Sequence, residues 1–238
     1  MIWVIADLHL SFGVPNKKMD LFGPEWENHP EKIAQDWKQK VSESDLVLIP
    51  GDISWAMSAE EVMPDLEWIH ALPGKKLMIR GNHDYWWSSA SKVRKLLPES
   101  IEVIQNSVYR FENVEIGGAR LWDTPEFSFG PPLAGGVDQE KLLKDEKIFE
   151  RELGRLELSL QQFGEYAEKR IVMTHYPPIG NDLKSTRAHE LLKKYRVDLC
   201  VFGHLHGFQR GVLPFGTLDG IHYLLTSCDY TGFKLLSL

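Results

Sequence analysis

Five short apolar runs, each closed by oxygen and nitrogen donors, constrain this chain more than any other feature. The runs span Ile2 to Ala6, Asp45 to Ile49, Lys76 to Arg80, Arg170 to Thr174 and Val197 to Phe202. Each is a block of Val, Ile, Leu or Met with little alternation, the pattern of strands covered on both faces. Helical patterns lie between them. Ile33, Trp37 and Val41 recur four apart, and Val93, Leu96 and Leu97 share one face. Ser58 and Glu61 are spaced as a capping box, and Pro64 is expected to restart that helix rather than continue it. The longest helix is predicted from Asp138 to Lys169, with an interruption near Gly154. Residues 107–122 read as a hairpin turning at Glu112 and Asn113, and "IHYLLTS" and "FKLLSL" read as further strands. Alternating β and α with two antiparallel pieces predicts an α/β fold of two stacked sheets with helices outside.

The residues that end the runs carry the chemistry. "ADLH" supplies Asp7 and His9, "PGDI" supplies Asp52, and "RGNHD" supplies Asn82, His83 and Asp84. "THYPP" adds His175, and "FGHLHG" adds His204 and His206. Open α/β sheets bind ligands at the carboxyl ends of their strands. Asp7 and His9 are two apart, as are His204 and His206. In extended backbone such residues point to one side, so each pair is expected to converge on one centre. Gly51, Gly81 and Gly203 directly precede Asp52, Asn82 and His204, letting the backbone approach whatever is bound. Carboxylate, imidazole and amide without thiolate suit hard to borderline divalent ions such as Mn²⁺, Fe or Zn²⁺, with Mn²⁺ favoured. Asp7, His9, Asp52, Asn82, His175, His204 and His206 exceed what one ion with an open position needs. They suit two ions sharing a carboxylate, an arrangement that holds a phosphoryl group and activates a bridging hydroxide.

A single strand-end histidine is more often an ordinary polar residue, and an Asp after Pro-Gly can simply cap a turn. The clustering of five of the nine histidines at strand ends is what departs from that. His29, His70, His189 and His222 have no second donor at matching spacing and are read as ordinary.

Composition limits the alternatives. At 238 residues and 43% hydrophobic content, a single domain over residues 1–238 is the default. The net charge of −7 argues against a general nucleic-acid groove, which needs a basic surplus. Cys200 and Cys228 lie in apolar runs and form no CxxC pair, consistent with buried reduced thiols in a cytoplasmic protein. The opening "MIWVIADLHL" lacks a basic leader region, and no run reaches membrane length, so neither secretion nor a membrane partner is expected.

With the D-x-H of Asp7 and His9, the G-D of Gly51 and Asp52, the G-N-H-D of Gly81 to Asp84, the isolated His175 and the G-H-x-H of Gly203 to His206, the sequence resembles a calcineurin-like metallophosphoesterase of the bacterial phosphohydrolase type. The motifs occur in the family's order across residues 7 to 206. The resemblance implies a four-layer αββα sandwich and a dinuclear metal centre. It places Asp7, His9 and His206 on one ion and Asn82, His175 and His204 on the other, with Asp52 bridging. It also casts His83 as the non-ligand histidine that assists the leaving group. The implied activity is hydrolysis of a small-molecule phosphomonoester or phosphodiester by a metal-activated hydroxide. A Mn-dependent nuclease and a non-enzymatic metal-binding scaffold are the alternatives.

The sequence departs from the protein-phosphatase branch of that family. "GDISWAM" puts Trp55 where that branch carries an acid, and its phosphate-clamping arginine is missing there. Arg80 is a candidate substrate contact, or else a strand-end arginine paired with a surface carboxylate. Asp84 either orients His83 or caps the following turn. Trp55, Trp86, Trp87, Trp122, Phe127 and Phe129 either wall a pocket for an apolar or planar leaving group or belong to the core. Of these, Trp86 and Trp122 are the candidate substrate contacts. The Pro/Gly-rich stretch from residue 123 to 136 is too long and aromatic for a passive linker and is a candidate lid.

Overall fold

The structure, a computed structural model, describes residues 1–129, 139–165, 167–208 and 215–238. Its strands in chain order are β1 (Ile2–Val4), β2 (Leu46–Ile49), β3 (Lys75–Met78), β4 (Ile101–Val103), β5 (Tyr109–Phe111) and β6 (Val114–Ala119), then β7 (Lys169–Thr174), β8 (Leu199–Phe202), β9 (Thr217–Leu218), β10 (Ile221–Leu225) and β11 (Leu236–Ser237). The α-helices are α1 (His29–Lys40), α2 (Ala59–His70), α3 (Ala90–Leu96), α4 (Gln139–Leu160) and α5 (Arg187–Lys194).

Two mixed sheets form. One has the order β11-β1-β2-β3-β4, with β1 to β4 parallel and β11 antiparallel at the edge. The other has the order β5-β6-β7-β8-β10-β9, parallel from β6 to β10 with antiparallel strands at both edges. The hairpin turns at Glu112 and Asn113, with Glu112 in the left-handed region at φ 52°.

The apolar runs are unbroken because both faces of each sheet are buried. In β2, Leu46 and Leu48 face the second sheet, while Val47 and Ile49 face α1 and α2. In β8, Leu199 and Val201 face the first sheet, while Cys200 and Phe202 face α4 and α5. Period-two alternation therefore sorts each strand between two apolar layers rather than between core and water. The resulting three clusters give the four-layer αββα stack.

Two helices differ from their sequence expectations. Pro64 lies inside α2, which continues through it to His70. The ring removes one backbone bond at the sixth helical position, a loss offset by Ser58 Oγ capping the Glu61 amide and by buried Val62, Leu66 and Ile69, which anchor the helix. The carboxylate of Glu61 accepts from the Met57 amide, so the capping box closes one residue early. The helix predicted to reach Lys169 stops at Leu160, and Lys169 begins β7. Gly154 does not interrupt it, because the position faces open space. Asp138 lies outside the described residues.

The sheets are stitched together at their carboxyl ends. The Ala6 amide donates to the Thr226 carbonyl at 2.8 Å, and the Cys228 amide donates to the Ala6 carbonyl at 3.0 Å. A further bridge joins Leu10 to Ser54. These bonds hold the segments after β1, β2 and β10 at one edge, which is where the donors lie.

Candidate metal centre

Asp7, His9, Asp52 and His204 all have positive φ, between 45° and 72°. Non-glycine residues seldom hold that conformation, and its clustering marks a site where surrounding structure over-determines the backbone. Convergence of Asp7 with His9 therefore comes from left-handed turns, not from the extended backbone that their spacing suggested. His204 and His206 likewise diverge toward different partners. Two glycines are sterically required. A Cβ at Gly81 would collide with Asp52, and one at Gly203 would collide with the Asp7 carboxylate.

The side chains meet in two groups. His9 Nε2 lies 3.2 Å from His206 Nε2, and ligand atoms of Asp7, His9 and His206 fall within 4.8 Å of one another. Asn82 Oδ1 lies 2.6 Å from His175 Nε2 and 3.0 Å from His204 Nδ1. Asp52 Oδ2 sits between the groups, 3.4 Å from His175 Nε2 and 3.7 Å from His9 Nε2. All seven donors thus share one centre, and most are buried.

Hydrogen bonds around the centre fix which atoms face it. His175 Nδ1 donates to the Pro50 carbonyl at 3.0 Å, turning its Nε2 lone pair inward. His206 Nδ1 pairs with Asp229 Oδ1 at 3.0 Å, which presents its Nε2 in the same way. Asp229 was not among the sequence candidates. It follows β10, so the strand-end rule that found the other donors also applies to it.

Electrostatics follow burial and proximity. Burial raises Asp7 to about 6, against the opposing pull of His206 and His175. For Asp52 burial acts upward, but His175 and His9 outweigh it and hold the carboxyl below the usual range. Burial lowers His204 to about 3, aided by His175, and drives His9 well below its ordinary value. Burial acts downward on His175 and His206 too, but Asp52 outweighs it at His175, raised to about 9, and Asp229 outweighs it at His206. A divalent cation would displace a proton from those two rings. Carboxylate, imidazole and amide oxygen are donor types that such cations take, so the set fits the implied metals.

His83 lies beside the centre but points elsewhere. Its backbone amide donates to Asp52 Oδ1 at 2.8 Å, and its ring packs against Trp55 with centroids 4.4 Å apart. Trp55 also stacks on His9 at 5.1 Å. An indole thus holds His83 by packing where a carboxylate could have done so by hydrogen bonding. Asp84 does not touch that ring. It accepts from the amides of Gly81, Ile53 and Ser54 and from the Trp86 indole, tying the "GNHD" loop to the segment after Asp52.

The candidate substrate contacts separate. Trp122 lines a cavity of about 750 Å³ together with Tyr176, Phe127, Phe129, Leu142 and His204, so this cavity reaches the site through one of the seven donors, His204. Trp86 is buried in the core, as is Trp87, and neither lines that cavity. Arg80 lines a different cavity that contains none of the seven donors, and among the described residues it is not paired with a surface carboxylate. Of the candidate lid, residues 123–129 border the large cavity, while residues 130–136 lie outside the described residues. The ordinary histidines include His29, bonded to the carbonyls of Trp26 and Leu8, and His189, bonded to the Tyr223 hydroxyl. Among the described residues, no helix is long and apolar enough to cross a membrane.

Comparison with known proteins bears on the fold and the family. The chain matches a protein of unknown function, AQ665, from Aquifex aeolicus with a TM-score of 0.53 at 16% identity, covering 99% of this chain and 94% of that one. It matches phosphopantetheinyl hydrolase from Mycobacterium tuberculosis with a TM-score of 0.54 at 14% identity, over 96% and 90% of the two chains. TT1561 of Thermus thermophilus gives 0.53 at 14% identity, over 99% and 96%. These likenesses establish the fold. Among curated sequences, the Gene 66 proteins of Mycobacterium phages D29 and L5 are 34% and 33% identical over 83 and 84 residues, 35% and 34% of this chain. Those matches span only 40% and 39% of the phage proteins' own lengths. The calcineurin-like phosphoesterase model matches residues 1–208, a span that holds every candidate donor, and this chain belongs to that family.

Proposed function

We propose that the chain is a metal-dependent hydrolase of small-molecule phosphomonoesters or phosphodiesters, carried by one domain over residues 1–238. The observation that carries this reading is the convergence of seven oxygen and nitrogen donors from five strand ends, with Asp52 between two groups. Asp7, His9 and His206 would hold one divalent ion and Asn82, His175 and His204 the other, with Asp52 shared. Mn²⁺, Fe and Zn²⁺ suit the donors, and Mn²⁺ is the first choice. Bound cations at such a site supply charge for the phosphoryl oxygens and a hydroxide nucleophile at neutral pH.

The chain's own residues do the rest. Buried imidazoles and Asp52 set the positions from which the phosphoryl group is held. His83 would deliver a proton to the departing oxygen. Its Nδ1 is buried without a partner among the described residues, and burial lowers the ring's pKa against the pull of Asp52, so the protonated acid is the scarcer form in the free protein. Trp55 keeps that ring in place by contact on its face. Beyond His204, the rings of Trp122 and Tyr176 lie 4.9 Å apart and offer an apolar wall to the leaving group. The size and apolar walls of this cavity favour a small molecule.

The test is turnover of p-nitrophenyl phosphate and bis-p-nitrophenyl phosphate by metal-stripped protein with and without added Mn²⁺. Hydrolysis restored by Mn²⁺ and abolished in Asp52→Asn is the expected result. Equal rates with and without metal would refute the reading.

A further inference from the structure

A second cavity, of about 100 Å³, opens between β3, β6 and α4 and shares no lining residue with the large one. Its walls include Arg80, Arg120 and Arg155, with Gln105 and Ser88 nearby and the small residues Gly118 and Ala119 leaving room. One carboxylate faces these cations. Glu152 is 2% exposed, and its Oε1 takes Arg120 at 3.2 Å, Arg151 at 3.3 Å and Arg155 at 2.7 Å. Three guanidinia thus share one buried acid, with Arg80 lining the same cavity, in a chain whose net charge is −7.

The charge is not the only imbalance. The Nε atoms of Arg80 and Arg120 are buried and have no hydrogen-bond partner among the described residues. Guanidinium donors withdrawn from water and left unpaired are costly, and an oxyanion is the ligand that matches their planar fork. The charged groups facing Arg80 are Arg120, Asp84, Glu152 and Arg155. Asp84 is already occupied by three backbone amides and an indole.

We propose that this cavity binds a phosphate-sized oxyanion through Arg80, Arg120 and Arg155, at a site separate from the metal centre. The two sites are joined through the backbone. Arg80 directly precedes Gly81 and Asn82, and the Arg120 carbonyl accepts the amides of His175 at 3.1 Å and Tyr176 at 2.9 Å. An anion bound here draws on the two arginines whose main chains support Asn82 and His175. The proposal does not depend on the hydrolytic reading, because the cavity contains no metal donor.

The experiment is calorimetric titration of the full chain, stripped of metal, with inorganic phosphate, and in parallel with glycerol 3-phosphate. One phosphate per chain should bind saturably. Arg80→Gln and Arg155→Gln should each weaken it about tenfold or more, while Lys38→Gln, the loss of an exposed cation on α1 that lines neither cavity, leaves it unchanged. Comparable binding of glycerol 3-phosphate would identify the ligand as a phosphoryl group on a larger molecule, and its exclusion would identify the free ion. Arg155 is 41% exposed on α4, so its variant decides the matter should Arg80→Gln fail to fold. Absence of saturable binding, or wild-type affinity in folded Arg155→Gln, overturns the proposal.

Discussion

His9 Nε2 and His206 Nε2 face each other across 3.2 Å. His206 spends its other ring nitrogen on Asp229, and burial keeps His9 neutral, so the two Nε2 atoms are directed at a common point. A divalent cation placed there would relieve that opposition, and Asp7, whose carboxylate oxygen lies within 4.8 Å of both ring nitrogens, would be a third ligand. The pair comes from opposite ends of the chain, after β1 and after β8, and is brought together by the stitching of the two sheets at Ala6 and Thr226 and by the His204 amide donating to the Asp7 carboxylate.

Asp229 supports this centre without touching it. Replacing it with Asn weakens the orientation and basicity of His206. The expected loss is roughly 10–100-fold in metal affinity, read by competition with a chelating dye. Unchanged affinity would show that the His206 ring is held by its other contacts.

His83 is expected to behave differently from the donors. His83→Asn should retain the metal content of the wild type but lose about 10²–10⁴ in kcat. The loss should shrink for substrates whose leaving group needs no proton. Loss of bound metal in parallel with activity would instead make His83 part of the metal scaffold.

Much of this was legible in the sequence because the strands are buried on both faces and stop at their donors. The apolar runs give β1, β2, β3, β7 and β8 within a few residues, and the hairpin turn falls on Glu112 and Asn113. Local conformation was not legible. Nothing in "ADLH" signals left-handed Asp7 and His9, because tertiary bonds to Gly51 and Asp52 carbonyls impose it. The end of α4 depends on Phe163 and Gly164 turning back toward Glu115, a contact distant in sequence. Trp86 and Trp122 look alike in the sequence, yet one is core and the other lines the large cavity.

Trp122 is expected to contribute to substrate binding and not to chemistry. Trp122→Ala should raise KM for aryl phosphates about tenfold with little change in kcat, measured by steady-state kinetics. An equal loss in kcat would place the indole in the transition state.

Lys76 gives the stability a distinct pH signature. Its side chain is almost fully buried on β3 and donates to the carbonyls of His70 and Leu72 at the end of α2. Burial lowers its pKa from 10.5 to about 8. Between those values the unfolded chain binds the extra proton, so stability rises with pH across that window. Relative to Lys76→Met, the wild type should gain at most about 1.4 kcal/mol per pH unit there, measured by urea unfolding. Parallel curves for the two proteins would contradict it.

The central claim is a centre for two ions sharing Asp52, and metal stoichiometry tests it most directly. Wild-type protein reconstituted with Mn²⁺ and freed of excess should carry two ions per chain by elemental analysis. Asp52→Asn should carry one or none, with activity lost in step. A single ion per chain in fully active wild-type protein would contradict the account.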